Sequence, residues 1–147
     1  MDQIITRMSM MNKKINRRVE QLAAIFQKIK QLDDNELSHL YELVSLHNEA
    51  LFITGDLTSE ALHVRDMSYA DRKQIYAEII LSESGTVAVK EATAEQAIAT
   101  YRKNEAEANS MYAKYKHMYE SLNHRLIDYR QKRNKLEHEL QTINDRQ

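Results

Sequence analysis

The sequence predicts an all-α protein built from long helices. The chain has 147 residues but only 2 Gly and 0 Pro. A β-sandwich or an α/β fold needs a turn roughly every 8–12 residues and makes those turns largely with Gly and Pro. Strong helix formers such as Ala, Leu, Glu, Lys, Gln, Arg and Met dominate the composition. Apolar side chains also recur every three or four residues along most of the chain, which is the helical period.

Residues 1–54 are expected to form the N-terminal helices. The first carries an apolar stripe with near-heptad spacing. Asp33 has capping-box spacing to Glu36, so a second helix is expected to begin there and to end at Gly55. The stripe of the first helix comprises Ile4, Met8, Met11, Ile15, Val19, Leu22, Phe26, Ile29 and Leu32. That of the second comprises Leu37, Leu40, Tyr41, Val44 and Leu51.

Residues 55–85 are predicted to form a connector of short helices. Thr58 and Ser68 are plausible N-cap residues, and each is followed by an acidic residue within the first turn. Gly85 is expected to end this segment. The apolar face of the second short helix would comprise Ile75, Tyr76, Ile79 and Ile80.

Residues 86–147 are predicted to form one long C-terminal helix, because no helix breaker interrupts them before Ile143. Such a helix must lie along another long helix or pair with a second copy. We therefore predict a single helical domain, 1–147, arranged as an antiparallel coiled-coil hairpin with short helices in the middle. A compact four-helix bundle with a kinked last helix is the alternative. The stripe comprises Ile98, Tyr101, Ala108, Met111, Tyr115, Met118, Leu122, Leu126, Tyr129, Arg133, Leu136, Leu140 and Ile143.

Charge is unevenly distributed although the net charge is −1. Residues 1–32 hold 7 basic and 2 acidic residues, residues 33–97 hold 4 and 13, and residues 98–147 hold 10 and 7. In a hairpin, the basic residues of the first and last segments would lie near each other and attract phosphate. The alternative is that they form solvated helix faces with intrahelical ion pairs. The predicted nucleic-acid-binding residues are Lys13, Lys14, Arg17, Arg18, Arg125, Arg130, Lys132, Arg133 and Lys135.

Tyrosines alternate with basic residues in the C-terminal segment, a pattern found on single-stranded nucleic-acid surfaces. Tyr115 and Tyr129 also fall in the apolar stripe, which favours a core role for them. The tyrosines are Tyr101, Tyr112, Tyr115, Tyr119 and Tyr129, and the basic residues are Lys114, Lys116, Arg125 and Arg130.

Catalysis is not expected, and neither is a cofactor or a metal. The chain has 0 Cys, which excludes thiol nucleophiles and Cys-ligated zinc. Glycine-dependent phosphate loops and nucleophile elbows are also excluded. Two Glu-x-x-His patterns, at Glu36–His39 and Glu60–His63, resemble di-iron ligand spacing but lie on short neighbouring segments. No stretch has the length of a membrane span or of a secretory signal, so a cytoplasmic protein without membrane contact is expected.

The stretch from Gly85-Thr86-Val87-Ala88 to Tyr129-Arg130 resembles small helical accessory proteins of bacteriophage recombination and replication modules. Some of these are similar in role to UvsY-like mediators, which bind single-stranded DNA and load a recombinase. The chain also resembles, more weakly, the FliJ-like stalk proteins of flagellar and type III secretion export. The extra helix expected near residues 68–81 departs from that second pattern.

These observations predict a non-enzymatic, homo-oligomeric helical adaptor for DNA recombination or replication. Its basic residues would contact single-stranded nucleic acid through the phosphate backbone without reading sequence. Its acidic middle would contact a basic face of a protein partner. The alternatives are an export stalk or chaperone, and a phage-encoded inhibitor that occupies a groove of a host protein.

Overall fold

A computed structural model describes residues 2–146 and the side chains of residues 10–146. It contains helix α1 (Asp2–Ile29), helix α2 (Leu37–Ser82) and helix α3 (Val87–Asn144), of 28, 46 and 58 residues. All regular secondary structure in this part of the chain is α-helical, which confirms that the protein is all-α as predicted. The stripe positions Ile4 and Met8 lie outside the described side chains.

Helix α2 continues through Gly55, so the expected break and the connector of short helices over residues 55–85 are wrong. An isolated glycine costs a helix only about 1 kcal/mol relative to alanine, which the packing of a long amphipathic helix easily exceeds. Thr58 and Ser68, expected to be N-caps, lie inside the helix, and Ser68 is buried. The segment between Leu37 and Ser82 is therefore one element.

The start of α2 is capped differently from the prediction. The side chain of Asp33 accepts hydrogen bonds from the backbone N and Nδ2 of Asn35, at 3.0 and 2.8 Å, which lowers the Asp33 pKa. The first helical bond runs from Leu40 N to Glu36 O at 2.9 Å, so Glu36 is the N-cap. Asp33 therefore stabilises the preceding turn and forms no capping box.

The connection from α2 to α3 contains Gly85, the residue that the sequence predicted to end the segment before the long C-terminal helix. Gly85 has a φ of +119°, which a side chain rarely tolerates. Lys90 N then donates to Thr86 O at 3.1 Å, so Thr86 is the N-cap of α3. The long C-terminal helix follows without interruption to Asn144.

The chain divides into two compact units, and the unit boundaries fall inside the helices. Unit 1 comprises the chain up to Met11 together with Thr58–Lys114, and unit 2 comprises Asn12–Leu57 together with the chain from Tyr115 onward. The single-domain organisation expected for residues 1–147 stays a prediction. None of the described helices has a stretch long and apolar enough to cross a membrane.

Unit 2 packs parts of all three helices around the N-terminal half of α2. The buried positions of α2 follow heptad spacing and include two polar residues, His47 and Thr54. Tyr41, expected in the stripe, is 51% exposed, and Val19 of α1 is 41% exposed. The buried apolar side chains of this unit are Ile15, Leu22, Ile25, Leu40, Leu43, Val44, Leu46, Ala50, Ile53, Leu57, Tyr115, Leu122 and Leu126.

Segments of α2 and α3 run antiparallel in unit 2. Tyr41 Oη donates to Glu137 Oε1, and Arg130 Nη2 donates to Asn48 Oδ1 at 3.0 Å. Position 55 of α2 lies against the ring of Tyr119. Increasing residue number on α2 thus pairs with decreasing number on α3, as an antiparallel pair requires.

Unit 1 also pairs α2 and α3 antiparallel. Arg65 lies over the ring of Tyr112, and Arg72 Nε contacts Glu105 Oε2 at 2.7 Å. The core here is built mostly from small residues, since the buried side chains are Ala61, Ser68, Ala94 and Ala108 together with Ile98.

His47 is only 1% exposed, and its imidazole is satisfied within the protein. Nδ1 lies 2.8 Å from Leu43 O and must donate, because a carbonyl oxygen only accepts. The ring packs edge-on against Tyr129, with centroids 4.9 Å apart. Burial lowers the His47 pKa, and the charge of Arg125 adds to this effect, so the buried imidazole is neutral at pH 7.

Alanine at the two glycines is expected to have opposite effects. Gly55→Ala should stabilise the protein by about 0.5–1 kcal/mol, because the glycine is helical and its added Cβ would lie 3.6 Å from Tyr119 Cε2, an ordinary contact. Gly85→Ala should destabilise it by roughly 1–3 kcal/mol, because of the positive φ. Urea unfolding followed by circular dichroism measures both. Equal effects at the two positions would contradict the continuous α2 helix.

Acid is expected to destabilise the protein through His47. Its folded pKa is lowered, so the unfolded chain binds the proton more readily. This contribution to stability is complete above the unfolded pKa of about 6.5 and is lost as pH falls below that value, by at most about 1.4 kcal/mol per pH unit. His47→Leu should flatten the pH dependence of the unfolding free energy between pH 7 and 5. His124→Gln, at an exposed histidine, is the control and should leave the slope unchanged.

Candidate nucleic-acid interface

The four basic residues of α1 that were predicted to bind nucleic acid share one face of that helix in unit 2. Ile15 between them points into the core, while Lys13, Lys14 and Arg17 are exposed. Spacings of three and four residues place these side chains close together. A shallow groove of about 240 Å³ is lined by Lys14, Arg17, Arg18 and Gln21.

Arg18 is the anchored member of this face. Its Nε lies 2.7 Å from Asp56 Oδ2 on α2, and its Nη1 donates to Gln21 Oε1 at 3.2 Å. The guanidinium carbon also lies 5.9 Å from the centre of the Phe52 ring. Asp56 Oδ2 is buried and accepts no hydrogen bond, so the contact with Arg18 is ionic. Arg18 therefore joins α1 to α2.

Lys13 and Arg17 make no ion pair in the part of the chain that the structure describes. Glu20 is the sole acidic residue between positions 10 and 32. The face formed by Lys13, Lys14, Arg17 and Arg18 is here called the α1 basic face. It holds a local excess of positive charge, and Lys13 and Arg17 present theirs to solvent.

Two of the predicted basic residues on α3 connect it to the start of α2. Arg130 Nη2 donates to Asn48 Oδ1 at 3.0 Å. Lys132 Nζ lies 3.0 Å from Asp34 Oδ2 and 3.3 Å from Asn35 Oδ1. These contacts hold neighbouring elements of unit 2 together.

The next two basic residues on α3 are also engaged. Arg133 donates to Asn134 Oδ1 and lies over the ring of Tyr41, 5.2 Å from its centre. Lys135 Nζ is 3.9 Å from Glu139 Oε1, a loose pair within the helix. Arg133 was predicted in the apolar stripe and is half-buried. Both residues thus have neighbours within unit 2.

Arg125 is exposed and makes no ion pair among the described residues. The two basic clusters do not lie side by side. Arg18 contacts Asp56 and Arg130 contacts Asn48, positions eight residues apart on α2, or about 12 Å of helix. Arg18 and Arg130 therefore contact α2 at different levels along its axis in unit 2.

Tyrosines of the C-terminal segment divide between core and surface. Tyr115 is buried, and burial raises its pKa. Tyr129 packs on His47, and Tyr119 is 42% exposed beside Gly55. An alternating run of exposed rings is therefore absent from the described part of α3 in unit 2.

Neither Glu-x-x-His pattern forms a metal centre in the described chain, where no group of three or more potential ligands converges. His39 instead serves the turn before α2. Its Nδ1 accepts from Asp33 N at 3.0 Å, and its Nε2 lies 3.5 Å from Glu36 Oε2.

The sequence analysis missed a stripe of alternating arginines and tyrosines on α2 in unit 1. Arg65, Tyr69, Arg72 and Tyr76 are spaced by four, three and four residues. Residues 33–97 have a net negative charge, and this total hides a local cluster of basic residues. Three of the four basic residues of that segment lie within nine positions. Helical spacing of charged residues was the signal that would have found them.

Removal of the Arg18 charge is expected to destabilise unit 2. Arg18→Gln should cost about 1–3 kcal/mol, because the buried Asp56 oxygen loses its ionic partner. Arg17→Gln makes the same change at an exposed position and should cost less than about 0.5 kcal/mol. The double variant R18Q/D56N should recover part of the loss. Unfolding free energies from urea titration decide this, and equal costs at positions 17 and 18 would contradict the pairing.

No protein-family model matches this chain, and no curated protein or solved structure is detectably similar to it. The resemblances to phage accessory proteins and to export stalk proteins therefore stay predictions. The functional inference depends on the charges, exposures and contacts of the described residues.

Proposed function

We propose that the chain is a cytoplasmic, non-catalytic helical adaptor whose α1 basic face binds the phosphate backbone of single-stranded nucleic acid. The observation that supports this proposal is that Lys13 and Arg17 are exposed and form no ion pair among the described residues. Solvated cations of this kind bind a polyanion by releasing its condensed counterions. Recognition through phosphate alone would be independent of base sequence.

The remaining predicted residues have different roles in this proposal. Arg18 sets the geometry of the α1 basic face through Asp56. Arg125 adds an exposed charge on α3. Arg130 and Lys132 contact Asn48 and Asp34 within unit 2, so their role without a ligand is structural. Exposed surface ion pairs are worth at most about 1 kcal/mol, so Arg133 and Lys135 are also able to turn to phosphate at small cost.

An antiparallel coiled-coil hairpin of α2 and α3 would carry this surface. The α2–α3 contacts in each unit are antiparallel, which supports that arrangement. Leu140 and Ile143 continue the stripe of α3 yet are 43% and 55% exposed. A second copy covering these side chains would make the adaptor a homo-oligomer, in keeping with the predicted pairing of long helices.

A protein partner fits the acidic segment. Residues 33–97 hold 13 acidic residues, and Leu81, Val87 and Val89 around the α2–α3 connection are exposed. Apolar side chains in an acidic surrounding favour a basic protein surface over nucleic acid. This arrangement agrees with a UvsY-like role in phage recombination or replication, in which the adaptor would connect a strand to a protein that acts on it.

Binding of fluorescent oligo-dT30, measured by anisotropy at several salt concentrations, tests the proposal. Wild type should bind at low salt and weaken steeply as salt rises. K13Q/K14Q/R17Q should bind about tenfold more weakly, and its salt slope should fall by about 2, because each lost phosphate contact removes about 0.7.

The matched control is K90Q/K103Q/R146Q, which changes two lysines and one arginine away from the α1 basic face. Its affinity should stay within about twofold of wild type, since any loss would reflect only the general field of the protein. No binding by wild type at low salt would overturn the proposal. Equal losses in the two triple variants would overturn the assignment to α1.

A further inference from the structure

A groove in unit 1 brings basic side chains of the acidic segment together with Arg102 of the C-terminal segment. On α2 it is lined by Arg65 and Arg72 and on α3 by Arg102, and its volume is about 450 Å³. A second hollow of about 310 Å³ shares Arg72 and Arg102 and extends past Lys73 to Tyr76. Three members of the Arg–Tyr stripe, Arg65, Arg72 and Tyr76, thus line these two neighbouring hollows.

Tyrosine rings position the basic side chains along this groove. The guanidinium carbon of Arg65 lies 5.2 Å from the centre of the Tyr112 ring, and that of Arg72 lies 5.2 Å from the Tyr69 ring. Lys73 Nζ is 4.8 Å from the same Tyr69 ring. Cation–π contacts of this kind favour a narrow range of side-chain positions.

Carboxylates neutralise these cations only in part. Arg72 pairs with Glu105 at 2.7 Å, and Arg102 pairs with Glu95 at 2.8 Å. Arg65 pairs with its neighbour Asp66 at 2.9 Å. Together with Lys73, the groove therefore holds four cations against three carboxylates.

Two of the arginines keep donors available for a ligand. The side chains of Arg65 and Arg102 are 33% and 54% exposed, whereas that of Arg72 is 21% exposed. A guanidinium has five N–H donors, and the recorded contacts of Arg65 and Arg102 use at most two of them. Exposed pairs contribute at most about 1 kcal/mol, so a phosphate that takes an arginine fork displaces them at little cost.

We infer that this groove binds a nucleotide, with its phosphate on Arg65 and Arg102 and its base against the ring of Tyr76. Tyr76 lines the adjoining hollow together with Arg102. Arginine forks suit phosphate and exposed rings suit a base, which is the pairing used for single strands. The choice of a nucleotide as the phosphate carrier rests on the proposed function, whereas the site itself is separate from the α1 basic face.

The test uses the arginine Nε–Hε NMR signals of the full chain, assigned by substitution. Thymidine 5′-monophosphate and the trinucleotide dT3 should shift the signals of Arg65 and Arg102. Thymidine should not shift them, because it carries no phosphate, and inorganic phosphate should bind more weakly than the nucleotide, because it carries no base. An affinity that rises from monophosphate through dT3 to dT6 identifies a strand as the source, whereas one that is independent of length identifies free nucleotide.

R65Q/R102Q should weaken dT3 binding about tenfold, because charge-assisted hydrogen bonds to phosphate are lost. R65K/R102K keeps the positive charges but loses the forked guanidinium groups, so its affinity for dT3 should lie between those of R65Q/R102Q and wild type. K90Q/K103Q is the matched control in the same unit and should bind dT3 as wild type does. Arg72 is left intact because its contact with Glu105 joins α2 to α3, and circular dichroism verifies the helical content of each variant.

The experiments distinguish a failure of the nucleotide site from a failure of the α1 basic face. If dT30 binds but dT3 shifts none of the groove arginines, the nucleotide site is overturned and the α1 basic face stands. If dT3 shifts them while K13Q/K14Q/R17Q binds dT30 as wild type does, the groove stands and the α1 assignment falls. Equal loss of dT3 binding in R65Q/R102Q and K90Q/K103Q also overturns the nucleotide site.

Discussion

The buried stripe of α2 is the constraint on which unit 2 depends. Beside this stripe, Asp56 of α2 contacts Arg18 of α1 and Asn48 contacts Arg130 of α3, so α2 has neighbouring helices on two sides. Two positions of the stripe are polar, and each is satisfied within α2 itself. His47 Nδ1 donates to Leu43 O at 2.8 Å, and Thr54 Oγ1 donates to Ala50 O at 2.7 Å. These bonds give two polar groups partners inside an otherwise apolar interface.

The basic side chains of unit 2 act in two ways because of where α2 lies. Arg18 pairs with Asp56 on α2, and Lys132 pairs with Asp34 in the turn before α2, so both side chains tie neighbouring elements together. Basic side chains that face solvent, such as Lys13 and Arg17, remain available to an external anion. Helix period alone places them on one face or the other, so a single basic run supplies both a contact that joins helices and exposed positive charge.

Unit 1 is built on a different balance. Its core positions on α2 and α3 are mostly small, so the helices contact each other through long polar and aromatic side chains as well as through buried alanines. The Arg72–Glu105 pair and the Arg65–Tyr112 contact are examples. Arginine stems cover apolar surface while their guanidinium groups reach water. This arrangement leaves a charged groove where unit 2 has a filled core.

The sequence by itself determined the helical class, the long helix of residues 87–144 and many of its buried positions, including Tyr115, Leu122 and Leu126. These follow from local propensity and apolar period, which are properties of neighbouring residues. Only the tertiary structure decided that α2 passes through Gly55, that His47 and Thr54 are core residues, and that Arg65, Arg72 and Arg102 share a groove. Each of these depends on packing or charge pairing between residues that are distant in sequence. Such packing outweighs the local cost of a glycine in a helix, and a search for apolar side chains does not detect polar core residues or charge pairs.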